Sequence, residues 1–105
     1  MITATLSATV EGPWLRVEVV RVGKIPAGLG TPDVYIKVSD DEEPLLRIDA
    51  YGDSGEEVFV FSDVVVWGGW VVVGVGSRLH LVRLADRVTR TFRMEGYFGS
   101  IVVRG

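Results

Sequence analysis

The sequence predicts an all-β fold, an antiparallel sandwich or barrel of about eight to ten short strands. Three observations lead there. Apolar and polar residues alternate with period two along most of the chain, the signature of half-buried strands. The segments between them are short and made of turn residues: "EGP", "DDEEP", "GDSGE", "GG", "GS", "AD" and "EG". No window of useful length keeps apolar residues at helical spacing.

The elements follow in order. "ITATLSATV" places Ile2, Ala4, Leu6, Ala8 and Val10 on one face and Thr3, Thr5, Ser7 and Thr9 on the other. After "EGP", the stretch "WLRVEVVRV" sets Leu15, Val17 and Val19 against Trp14, Arg16 and Glu18. A loop rich in Gly and Pro leads to "DVYIKVS", with Val34, Ile36 and Val38 inward. "LLRIDAY", "EVFVFS", "RLHLVRL", "RVTRTFRM" and "YFGSIVVR" supply further strands. In "RLHLVRL" the leucines are expected to face the core and His80 to lie on the opposite face with Arg78 and Val82.

The most apolar stretch, Val64 to Gly76, has 13 uncharged residues, short of the roughly 20 that a membrane helix needs. Its valines suit a strand, and Gly68-Gly69 suits a two-residue hairpin turn that requires positive φ. The expectation is a hairpin with Trp67 and Trp70 flanking the turn, central in a sheet covered on both faces. The alternative leaves one face exposed as a subunit contact, with Trp67, Trp70 and Val72 as the interface residues.

A length of 105 residues implies one domain, 1–105, and 48% apolar content excludes disorder. Without cysteine the chain has no disulfide, no thiolate metal site and no cysteine nucleophile. The start "MITATLSATV" has no basic segment and no apolar run before a cleavage site, so a cytoplasmic location is expected. The chain lacks Asn and Gln, and Arg outnumbers Lys nine to two. GC-rich codon usage, and a bacterial source, is the reading taken.

The stretch 64–103, carried by "WGGWVVVGVGSRLHLVRLADRVTRTFRMEGYFGSIVV", resembles a β-propeller blade, although it lacks the Trp-Asp dipeptide of WD40 repeats. That resemblance implies a propeller-like pair of blades that oligomerises to close a ring, because four or more blades are needed. A self-contained sandwich sharing only the meander is preferred. A second stretch, "LRVEVVRVGKIPAGLGTPDVYIKVSDDEEP", is similar to the early part of C2 domains. Asp33 and Tyr35 match, and Val34 stands where that family has proline. The resemblance implies calcium ligands that would have to come from Asp40, Asp41 and the 53–57 loop. No residue is carried over as a site.

Charge is unevenly placed. Residues 1–39 carry net +1, residues 40–63 net −8 and residues 64–105 net +4, within a total of −3. The acidic block has two readings: a solvated surface in cross-strand pairs with the basic strands, or an interaction surface for a basic protein, made of Asp40, Asp41, Glu42, Glu43, Asp53, Glu56 and Glu57. Arg83, Arg87, Arg90 and Arg93 with Phe92, Tyr97 and Phe98 could track a nucleic-acid strand, but the negative net charge opposes phosphate binding.

No catalytic constellation is visible. His80 is the only histidine, "GDSGE" lacks the spacing of a nucleophile elbow, and "GVGSRL" is only part of a dinucleotide-binding turn. The expectation is a non-catalytic interaction module with no cofactor and no metal, in the most concrete form a small acidic partner of immunity type. The alternatives are a calcium- or carbohydrate-binding module that stacks ligand on Trp14, Trp67 or Trp70, and a self-assembling structural protein whose partner is its own copy.

Overall fold

The computed structural model describes residues 1–25, 27–28, 30–51, 62–75 and 78–93. These form a two-sheet sandwich rather than a closed barrel. The first sheet contains β1 (Ile2–Ser7), β2 (Glu18–Gly23), β3 (Val34–Asp40) and β4 (Glu43–Tyr51), in the order β1-β3-β4-β2. The second contains β5 (Ser62–Trp67), β6 (Trp70–Val75), β7 (Arg78–Arg83) and β8 (Thr89–Arg93), paired in chain order as an antiparallel meander.

Strand ends follow local chemistry. β1 stops at Ser7, whose hydroxyl donates to the Thr9 carbonyl at 2.7 Å and closes a turn. The strand expected to start at Trp14 starts only at Glu18. Gly12 has φ +60°, and Pro13 opens a single 3₁₀ turn over Gly12–Leu15, leaving Leu15 exposed rather than inward. β3 and β4 join through Asp41 and Glu42, both at positive φ, which is the geometry of a two-residue hairpin turn. Pro44, which has no N–H to donate, sits where the β3–β4 register shifts. β5 and β6 turn through Gly68 and Gly69, φ +57° and +81°, as the sequence predicts.

One pairing breaks the antiparallel pattern. β2 runs parallel to β4, from Glu18 opposite Leu46 to Gly23 opposite Tyr51.

The sheets face each other with β1 against β5 and β2 against β7. Val22, Val34, Ile36, Val38, Leu46, Ile48 and Ala50 from the first sheet meet Val71, Val73, Val75 and Val82 from the second. Full burial of each such side chain is worth about 1.5–3 kcal/mol. At the far end, Arg87 donates from Nε to Glu18 at 3.2 Å, tying the β7–β8 turn to β2. Within that turn Arg83 clasps Asp86 through two hydrogen bonds of 2.9 and 2.7 Å, which hold the Asp86 carboxyl down to about 2.

Candidate functional site

The second sheet has two different faces, and the pairing register sorts its residues between them. The inner face carries Val64, Val73, His80 and Thr91 in one row and Val66, Val71, Val82 and Thr89 in the next. The outer face carries three rows. Asp63, Gly74, Leu79 and Phe92 form the first; Val65, Val72, Leu81 and Arg90 the second; Trp67, Trp70 and Arg83 the third.

This outer face is apolar across its middle. Trp67 and Phe92 are each 53% exposed, whereas Val72, at the centre, retains 7%. Val65, Trp70, Leu79 and Leu81 are half-buried. Arg83 lies over the Trp70 ring, 5.3 Å from its centre, and the Gly69 carbonyl accepts from the Leu84 N–H at 2.9 Å. Those contacts hold the tryptophan corner in place. The three hairpin residues singled out from sequence, Trp67, Trp70 and Val72, therefore share one face. Val65, Leu79, Leu81 and Phe92 join them there; counting outward from the Gly-Gly turn by twos would have found them.

The acidic residues are only partly within the described chain. Asp40, Asp41, Glu42 and Glu43 form the exposed β3–β4 turn at one end of the two central strands of the first sheet, and Asp53, Glu56 and Glu57 lie outside the described residues. The amino group of Met1 donates to Asp41 and to Asp40, and its pKa is raised chiefly by the Asp41 hydrogen bond. Asp33 and the Asp40–Asp41 turn sit at opposite ends of β3, roughly 23 Å apart at about 3.3 Å per residue. One cation cannot bridge them. Among the described residues no group of three His, Asp or Glu side chains could hold a metal.

The arginines of the last third do not form one patch. Arg83 and Arg87 pair with Asp86 and Glu18, Arg90 shares the outer face with Phe92, and Arg93 lies on the opposite face beside Arg78. Tyr97 and Phe98 lie outside the described residues.

The outward side of the first sheet holds a different cluster. Arg47 donates from Nε and Nη2 to the two Asp49 oxygens at 2.7 and 3.0 Å, and from Nη1 to the Trp14 carbonyl at 3.0 Å. The same guanidinium lies 5.4 Å from the Tyr35 ring centre, and the Lys37 ammonium lies 5.9 Å from that of Trp14. Trp14 is thereby a packing residue that roofs a buried ion pair, which leaves its ring less open to a sugar than Trp67.

His80 corrects the expected orientation of β7. It is fully buried on the inner face, opposite Val73, while Leu79 and Leu81 point outward. Nδ1 lies 2.9 Å from the Thr91 hydroxyl, and Nε2 has no partner among the described residues. Burial, aided by Arg78, pushes its pKa down from 6.5 to about 4. The unfolded chain takes up this proton near 6.5 and the folded chain only near 4. Stability is therefore full above the higher value, falls as pH drops between the two, and levels off below the lower one. At about 1.4 kcal/mol per unit, the loss approaches ~3 kcal/mol. Urea midpoints at about pH 7 and about pH 4.5 should differ less for His80→Leu than for the wild type.

No protein-family model matches this chain, and neither curated proteins nor solved structures provide a match. No helix among the described residues is long and apolar enough to cross a membrane.

Proposed function

We propose that the chain is a non-catalytic protein-interaction module that meets its partner through the outer face of β5–β8. One observation carries this reading. Trp67 and Phe92 stand exposed at opposite corners of that face, with half-buried Val65, Trp70, Leu79 and Leu81 between them and Val72 buried at the centre. Tryptophan and other aromatic side chains are enriched among the residues that dominate binding energy, and here two of them are left largely in water.

The acidic turn supports a second reading, a basic protein partner. The side chains of Asp40 and Asp41 are mostly exposed despite their contact with Met1, so the turn retains a field that would speed association with a cation-rich surface. Photocrosslinking separates the two. A photoreactive phenylalanine analogue is placed at position 67 or at position 41, and adducts are mapped in the source cells. Protein adducts from position 67 and none from position 41 are expected. The reverse pattern moves the site to the acidic turn, and adducts from neither position overturn both readings.

A further inference from the structure

We infer that β8 is an edge strand latched by His80 and released in acid: protonation of the buried ring opens the β7–β8 ladder while the rest of the sandwich stays folded.

The ring sits in the middle of β7 on the inner face, between Val73 of β6 and Thr91 of β8, and none of it reaches water. Nδ1 meets the Thr91 hydroxyl at 2.9 Å, and Nε2 has no partner among the described residues. A neutral imidazole tolerates this, because one of its nitrogens can remain a bare acceptor. An imidazolium carries a proton on both nitrogens, so protonation strands a charged donor inside the sandwich. Neighbouring charge adds to the cost. Arg78 lies two residues away on the same face of β7, and Arg93 of β8 stands directly opposite Arg78. Among the described residues no carboxylate answers them at the ring. β6 brings Val73, β2 brings Val20 and Val22, and the Glu18 carboxylate at the start of β2 is paired with Arg87.

Water reaches the ring most cheaply through β8. Every residue of this strand is exposed, including Thr89, Thr91 and Arg93 on its inner face. Among the described residues it pairs with β7 alone, at the end of its sheet. Peeling it away gives up one ladder and the Thr91 contact but takes no side chain out of the core. Any other route parts the two sheets and wets Val22, Ile36, Ile48 and Val73. The turn before β8 stays in place, because Arg83 holds Asp86 and Arg87 holds Glu18. The strand therefore swings from Val88 onward and carries Arg93 away from Arg78. What it leaves behind differs from what it was. β8 is a short edge strand bearing Arg90 and Arg93, and such charges discourage the addition of another strand. The bared edge of β7 has Leu79, Leu81 and Val82 between its terminal arginines, so acid exchanges a protected edge for one that accepts a strand.

Native-state amide exchange by NMR, at about pH 7 and about pH 5 and corrected for intrinsic exchange, tests this on the full chain. A series of low urea concentrations at each pH separates local from global opening. The amides of the β7–β8 ladder should open far more often than those of the β3–β4 pair and with little dependence on urea, the mark of a small opening. The ring takes a proton near 6.5 when hydrated and only near about 4 when enclosed, so ladder opening should rise about 20-fold from the higher pH to the lower. His80→Leu, which keeps an apolar side chain in that space, should abolish the rise. Thr91→Val removes only the latch, at an exposed position, and should raise ladder opening several-fold at neutral pH. If His80→Leu does not fold, the wild-type contrast and Thr91→Val decide. Ladder amides that open together with the β3–β4 pair, with the same urea dependence, mean that only the whole fold opens and overturn the local release. A rise that persists in His80→Leu, or Thr91→Val opening no more often than the wild type, overturns the latch.

Discussion

Asp49→Ala is expected to destabilise the fold by about 3–5 kcal/mol. Arg47 and Asp49 point to the outward side of the first sheet, yet their side chains are only 12% and 5% exposed. The guanidinium donates two hydrogen bonds to Asp49 and one to the Trp14 carbonyl. Without Asp49 a mostly desolvated positive charge keeps only the Trp14 carbonyl and the face of the Tyr35 ring. The cost reflects the stranded partner more than the worth of the pair, because a buried pair often gains little over an apolar replacement. The double variant Arg47→Met/Asp49→Leu should therefore recover much of the loss. Urea denaturation of the two variants at neutral pH is the measurement, and equal destabilisation of both would refute the stranded-charge account.

Gly23→Ala is expected to be comparably severe, above about 3 kcal/mol. Gly23 ends β2 at φ +93°, opposite Tyr51 in the parallel pairing, and an added Cβ would stand 1.9 Å from the Tyr51 carbonyl oxygen. That oxygen also accepts from the Lys24 N–H at 3.1 Å, so relieving the clash means parting the end of β2 from β4. Overpacking costs about 1–3 kcal/mol, and the left-handed backbone adds about 1–2. Gly12→Ala isolates the second effect, since Gly12 has φ +60° and nothing within 4 Å of its Cβ position. It should lose only about 1 kcal/mol, and thermal melts of the pair would separate clash from backbone strain.

The fold class was readable because alternation and turn chemistry act locally. "ITATLS" shows its inner residues Ile2, Ala4 and Leu6 by period two alone, and Gly68-Gly69 announces its turn by the positive φ that only such residues adopt cheaply. What resisted reading depends on contacts between distant strands. In "RLHLVRL" both faces carry apolar residues, so the leucines look like the core side. Pairing of His80 with Val73 decides otherwise, and no local pattern records that register. The parallel β2–β4 pair was equally hidden, because neither strand carries a mark of its partner's direction. At Trp14 the apolar alternation misled, since Gly12-Pro13 starts a 3₁₀ turn beneath which Arg47 and Asp49 pair. Of the candidate site, Trp67, Trp70 and Val72 were legible as a hairpin. Their union with Leu79, Leu81 and Phe92 needed the register of four strands.

The pairing of β2 with β4 bears on how the chain reaches its native state. β6, β7 and β8 each join the strand before them, so the second sheet can zip in the order in which it is synthesised. The first cannot. β2 must wait while β3 and β4 form a hairpin, and β1 must return to β3 from the start of the chain, Ile2 to Asp40. Both closures carry loop entropy that is lost before any contact compensates it. Refolding should therefore be limited by the first sheet. Conservative truncations such as Val20→Ala should mainly accelerate unfolding, whereas truncations in the early-forming β3–β4 hairpin should slow folding.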